Sequence, residues 1–186
     1  MELYTAVLIG IGLSMDAFAV AMVKGMCAKD SRIGTAIKIS LYFGVFQAGM
    51  VLIGYLLGIT FSSIISSFDH WIAFFLLLFI GGKMIYEGLT PKDLSCDVDP
   101  KTDFISMITV SIATSIDALA VGVSFAFLNE PIVSTALLIG CITFTISLIG
   151  VQLGKRGASW LGDKAELLGG LVLILIGVKI LIEHLL

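Results

Sequence analysis

Asp16 and Asp117 are the two residues with chemistry to offer. Each is the only charge in a long apolar segment. Each also sits in the same local sequence, since Ser14-Met15-Asp16-Ala17-Phe18-Ala19-Val20 recurs as Ser115-Ile116-Asp117-Ala118-Leu119-Ala120-Val121. An aspartate in mid-membrane costs about 2.5–3.5 kcal/mol on insertion scales, so it needs a partner or a task. Two carboxylates neutralise one divalent cation, and oxygen ligands suit hard cations. The plainer alternative is a pair of protonated aspartates that donate hydrogen bonds between helices.

The neighbouring residues favour a cation site. Ser14, Ser115 and Thr114 place hydroxyls beside the carboxylates, and Ala17, Ala19, Ala118 and Ala120 let helices approach closely. Gln47 is the most polar residue in the middle of the second apolar segment, with its counterpart near Ser147. It supplies an oxygen ligand or bonds across helices. Met15 packs, or offers a thioether that favours a softer transition ion.

The elements that must position these groups are membrane helices. Of the 186 residues, 58% are hydrophobic and 13% charged, against about 25% charged in globular proteins. A spanning helix needs about 20 mostly apolar residues. Such segments cover residues 3–23, 39–57, 71–87, 104–128, 132–154 and 165–185. A Ser-rich turn (Ser62, Ser63, Ser66, Ser67) follows the second. The first segment carries Asp16 and lacks a basic leader, which argues against a cleaved signal peptide. Cys27 and Cys96 fall in predicted cytoplasmic loops and are expected reduced, whereas Cys141 is expected to pack within its helix.

The six spans divide into two halves, 1–90 and 104–186, joined by a polar linker at 91–103. Asp16 and Asp117 are offset by 101 residues. Thr35-Ala36 and Gly54 match Thr135-Ala136 and Gly154 at 100. Ile80-Gly81, Lys83 and Glu87 match Ile176-Gly177, Lys179 and Glu183 at 96. Three spans per half make the halves enter the membrane from opposite sides. Lys24, Lys29, Arg32, Lys92, Lys101, Lys155, Arg156 and Lys164 all fall in the loops after spans one, three and five, with Lys38 just beyond the first. The positive-inside rule then puts both termini outside. The expected architecture is an all-α integral membrane protein with six transmembrane helices as two inverted three-helix repeats. Such repeats are typical of secondary transporters with midplane sites.

Lys83/Glu87 and Lys179/Glu183 are i,i+4 pairs near the ends of spans three and six, expected as interface anchors or gates. Glu166 and His70 occupy equivalent positions at the starts of those spans, His70 being a weak ligand candidate. Asp93, Asp97, Asp99 and Asp103 read as a solvated loop or a first capture site. Nothing points to nucleic acid, to a resident cofactor or to an ATPase, because there is no phosphate-binding loop. Transport must draw on an ion gradient or a separate partner.

The segments Ser14–Ala19, His70–Phe74, Ile80–Gly88, Thr114–Gly122 and Ala165–Gly177 resemble the MntP-type manganese exporters of the LysE superfamily, along essentially the whole chain. The resemblance implies a bacterial inner-membrane protein that exports Mn²⁺ as its transported substrate, with Asp16 and Asp117 as the motif aspartates. One departure is Gln47, where some relatives carry an acidic residue. Alternating access and proton exchange for metal are the expected mechanism. Two rival readings are an intramembrane aspartyl protease and an exporter of another small cation or amino acid. The protease resembles G-x-G-D, whereas Leu13-Ser14-Met15 precedes Asp16. The organic-cation exporter predicts aromatic or basic residues near the site; Phe18 lies near Asp16, but no cation lies deep in the spans.

Overall fold

A computed structural model describes residues 3–27, 33–65, 69–89, 104–127 and 132–156, with the isolated helical positions 167, 171, 174, 175, 178 and 182. Among them the chain forms α1 (Leu3–Cys27), α2 (Ile33–Ile65), α3 (Asp69–Leu89), α4 (Phe104–Thr114), α5 (Ile116–Phe127) and α6 (Ile132–Lys155). The linker at 91–103 with Cys96, most of the predicted sixth span with Glu166, Lys179 and Glu183, and the side chains of Cys27, His70 and Glu87 lie outside the described residues.

Three of these helices are long and apolar enough to cross a membrane alone, and α4 with α5, bent by 46°, is so as a pair. The described residues are thus essentially all helical, and the chain is a multi-pass membrane protein. Its helices are apolar on every side, so lipid gains nothing by excluding them, and packing rests on close approach and on polar groups turned inward. On α2, Leu41, Val45, Ile53 and Leu56 face outward, while Ser40, Gly44, Gln47, Val51, Gly54 and Gly58 are buried.

The helix register follows from where glycines meet their neighbours. A carbon added at Gly10 would meet Ile142, one at Gly150 would meet Phe18, and one at Gly154 would meet Met22. The residue numbers rise together, so α1 and α6 run parallel. Gly54 against Leu119 and Gly58 against Val123 make α2 and α5 parallel in the same way. In contrast, α2 and α6 cross antiparallel: Gly44 meets Phe144 at 3.0 Å and Gly140 meets Ala48 at 2.9 Å. At the centre of this crossing a carbon on Gly44 would lie 2.8 Å from Gly140 O, and one on Gly140 would lie 2.9 Å from Gly44 O. Only glycine allows the two backbones so close. The third helix packs on α5, with Leu77 and Ile80 joining the core cluster of Ala118, Val121 and Phe125.

Three details depart from the sequence expectation. The second helix continues through Ser62 and Ser63 to Ile65, where a turn was expected. Hydroxyls are tolerated in a helix when they bond back to the preceding turn, as Thr60 Oγ1 does to Leu56 O at 2.9 Å. The fourth span is not one continuous helix but breaks at Ser115. Finally, Cys141 is exposed on the outer face of α6 instead of packed inside.

Candidate metal centre

The break in the fourth span is made by hydroxyls. Thr114 Oγ1 donates to Val110 O at 3.1 Å and to Ser111 O at 3.2 Å, and Ser115 Oγ donates to Ser111 O at 2.7 Å. Back-bonding of this kind competes with the helix ladder and bends it. The backbone follows, with Ser115 N–H turning to Ile112 O in a tighter three-residue step. Asp117 thus lies in the first turn of a half-helix, α5, whose N-terminal dipole favours a carboxylate. Ala118 N–H donates to Asp117 Oδ1 at 2.8 Å. Asp117 Oδ2 is buried and accepts no hydrogen bond.

Asp16 occupies the matching position in α1, but α1 runs unbroken through it. Here a single hydroxyl bonds back, Ser14 Oγ to Ile11 O at 2.8 Å. Both aspartates are enclosed, Asp16 at 9% exposure and Asp117 at 6%. The Asp16 carboxylate lies within electrostatic reach of Asp117, and so does the ammonium of Lys83 on α3.

The register explains how two carboxylates on separate helices converge. Phe18, two residues after Asp16, meets α6 at Gly150, ten residues beyond Gly140. Leu119, two residues after Asp117, meets α2 at Gly54, ten residues beyond Gly44. Because α2 and α6 are antiparallel, the two aspartates flank the crossing from opposite sides. Side chains lean toward the N-terminus of their helix. On antiparallel helices this tilts Asp16 and Asp117 toward each other across the crossing.

Gln47 sits one turn from the crossing on α2, fully buried, and its Nε2 donates to Leu13 O at 3.1 Å. It does bond across helices, and its Oε1 is left buried without a hydrogen-bond partner. Thr143 sits one turn from the crossing on α6, also fully buried, with Oγ1 equally unpartnered. Sequence reasoning missed Thr143 because it paired Gln47 with Ser147 at the offset of 100. The glycine contacts are symmetric at an offset of 96 (Gly44 with Gly140, and Gly44 with Phe144 mirrored by Gly140 with Ala48), which makes Thr143 the counterpart of Gln47. Ser147 is buried with an unpartnered Oγ and lies on the Asp16 side of the crossing.

The structure thus brings Asp16, Asp117, Ser14, Thr114, Ser115 and Gln47 into one region. The hydroxyl hydrogens of Ser14, Thr114 and Ser115 are committed to carbonyls of their own helices, so these residues shape the site at least as much as they could ligate. Met15 packs against the core cluster around Ile9 and Leu13, in keeping with a packing role. Among the described residues no three His, Cys, Asp or Glu side chains gather as a metal cluster. A cation held here would have two carboxylates and a remainder of neutral oxygens.

A family model described as "Putative manganese efflux pump" matches residues 30–181. The chain belongs to the MntP family. It is 50% identical over 197 residues to a protein of Clostridium botulinum (strain Hall) named "Putative manganese efflux pump MntP 2", covering 99% of this chain and 96% of that one. The MntP protein of Mannheimia succiniciproducens is 50% identical over 184 residues, covering 99% and 98%. That of Methanosarcina mazei is 46% identical over 187 residues, covering 99% and 98%. No solved structure matches. The MntP relatives are named as pumps, not as enzymes, and their names imply no resident cofactor.

Proposed function

We propose that this MntP family member exports Mn²⁺ from the cytoplasm as a secondary transporter, with the ion held between Asp16 and Asp117. The observation that carries the reading is the pair of buried carboxylates, on separate helices, within electrostatic reach of each other inside a membrane protein. Two negative charges at that cost call for a divalent positive one. The identity of the metal follows from the relatives' names.

Two inverted repeats, 1–90 and 104–186 with a cytoplasmic linker at 91–103, are the proposed architecture. Reciprocal contacts support it. Gly54 on Leu119 has its mirror in Gly150 on Phe18, Gly58 on Val123 in Gly154 on Met22, and Gly44 meets Gly140 reciprocally. Alternating access is the proposed mechanism. The difference between the bent fourth span and the straight α1 supports it, because two related halves in different shapes give one face of the cycle. The protein is placed in the cytoplasmic (inner) membrane with both termini outside. A proton is the natural replacement for a metal leaving a carboxylate, so exchange for protons is the proposed coupling.

The test is Mn²⁺ flux in proteoliposomes, wild type beside Asp16→Asn and Asp117→Asn. The reading expects flux that follows an imposed pH gradient and is lost in both variants. Undiminished flux in either variant refutes the shared site, and flux indifferent to the gradient refutes proton coupling alone.

A further inference from the structure

Between the two aspartates, at the crossing of α2 and α6, the structure holds two oxygens with nothing to bond to. Gln47 Oε1 and Thr143 Oγ1 are each on a fully buried residue, one turn past Gly44 and Gly140 respectively. A buried polar atom left unsatisfied costs about 1–3 kcal/mol, so a native protein that keeps one on each side of a helix crossing has a use for them. Gln47 is held there by its amide nitrogen on Leu13 O, one turn before Ala17 on the helix of Asp16. That bond commits the nitrogen and turns the oxygen away from it. Both oxygens flank the contact of Gly44 with Gly140, which lies between the positions of Asp16 and Asp117 along the helices.

We infer that Gln47 Oε1 and Thr143 Oγ1 form a neutral oxygen step that completes the shell of the divalent cation shared by Asp16 and Asp117. The inference rests on the Mn²⁺ path proposed above and deepens it by assigning Thr143 a place in that path. The step makes physical sense because the carboxylates flank the crossing from opposite sides. An ion shared by the two needs further oxygens to replace its hydration shell. A carboxamide oxygen and a hydroxyl supply them without holding the ion as tightly as a third carboxylate would. Neutral oxygens also suit hard, partly hydrated ions, so the step contributes to selectivity as well as rate.

Thr143 is a sharper probe than Gln47, because Gln47 also ties α2 to α1. Thr143→Val keeps the branched shape and removes the oxygen; Thr143→Ser keeps the oxygen and removes the methyl. Both are compared with wild type and Asp16→Asn for Mn²⁺ flux in proteoliposomes and for Mn²⁺ binding in detergent. The expected result is that Thr143→Val slows flux about tenfold or more, in the range seen when supporting groups of a metal site are lost. Its ratio of Mn²⁺ to Mg²⁺ flux also changes, and Thr143→Ser restores both. Binding stays measurable in Thr143→Val and is abolished in Asp16→Asn. Wild-type flux in Thr143→Val overturns the inference and leaves the oxygens as sites for a buried water. Equal loss in Thr143→Ser and Thr143→Val also overturns it, since shape and not oxygen would then matter. If Asp16→Asn still binds and carries Mn²⁺, the underlying path is wrong and this step falls with it. Should Thr143→Val not purify as a folded protein, Thr143→Ala is read in its place by the same criteria.

Discussion

The bend before Asp117 can be removed without touching a carboxylate. Two residues make it, through Thr114 Oγ1 to Val110 O and Ser111 O and through Ser115 Oγ to Ser111 O. The two Thr114 contacts share one hydrogen, so the bend rests on two side-chain bonds. Within a membrane protein such bonds contribute about 0.6 kcal/mol each on average and up to about 1.7. Losing both in Thr114→Val/Ser115→Ala removes about 1–3 kcal/mol of preference for the bent form. At about 1.4 kcal/mol per factor of ten, Mn²⁺ affinity should fall roughly 5- to 150-fold if the bend places Asp117 for the ion. The assay is Mn²⁺ binding to the purified variant, checked against Ser14→Ala. The latter loses the Ser14 Oγ to Ile11 O bond of the unbroken α1, and should change affinity by no more than a few-fold. Wild-type affinity in the double variant would refute the argument that the bend positions Asp117. Equal losses in the two variants would refute the argument that the two halves differ in shape for a functional reason.

Other outcomes follow from the packing and the charges. Gly54→Val forces a side chain into Leu119 O, where a single added carbon already collides with backbone. It should prevent α2 and α5 from docking, read as loss of the monodisperse protein peak in detergent. Lys83→Gln removes a positive charge that acts on Asp117. It should tighten Mn²⁺ binding by up to about fivefold at low salt, because exposed charges act weakly; weaker binding would show that Lys83 supports the site. A cysteine at Glu130 in a background without native cysteines should react with an impermeant thiol reagent from outside intact cells. One at Leu94 should react only after permeabilisation. The reverse pattern would invert the proposed topology.

Much of this was legible in the chain. The spans stand out because apolar runs of membrane length are rare, and the aspartates because a lone charge within such a run is rarer still. Gln47 was visible for the same reason. The bend at Ser115 was not, although Ser111, Thr114 and Ser115 form a hydroxyl cluster that α1 matches only at Ser14. Whether hydroxyls bend a helix depends on which carbonyls they capture, and the sequence does not say. Thr143 was hidden by helix phase. Its neighbour Thr145 is exposed and bonds back to Cys141 O at 2.8 Å, while Thr143 is buried. In a helix apolar on every side no hydrophobic stripe separates the two. The correspondence of α2 with α6 at 96 needed the glycine contacts, since identities at 100 (Thr35-Ala36 with Thr135-Ala136) pointed elsewhere.

The central claim is that Asp16 and Asp117 share one ion. The most direct measurement is the stoichiometry of tight Mn²⁺ binding, by electron paramagnetic resonance titration of the purified protein, for wild type, Asp16→Asn and Asp117→Asn. The account predicts one tightly bound Mn²⁺ per chain in the wild type and none in either variant. Two per wild-type chain, or one retained when a single aspartate is replaced, would mean that the carboxylates act separately.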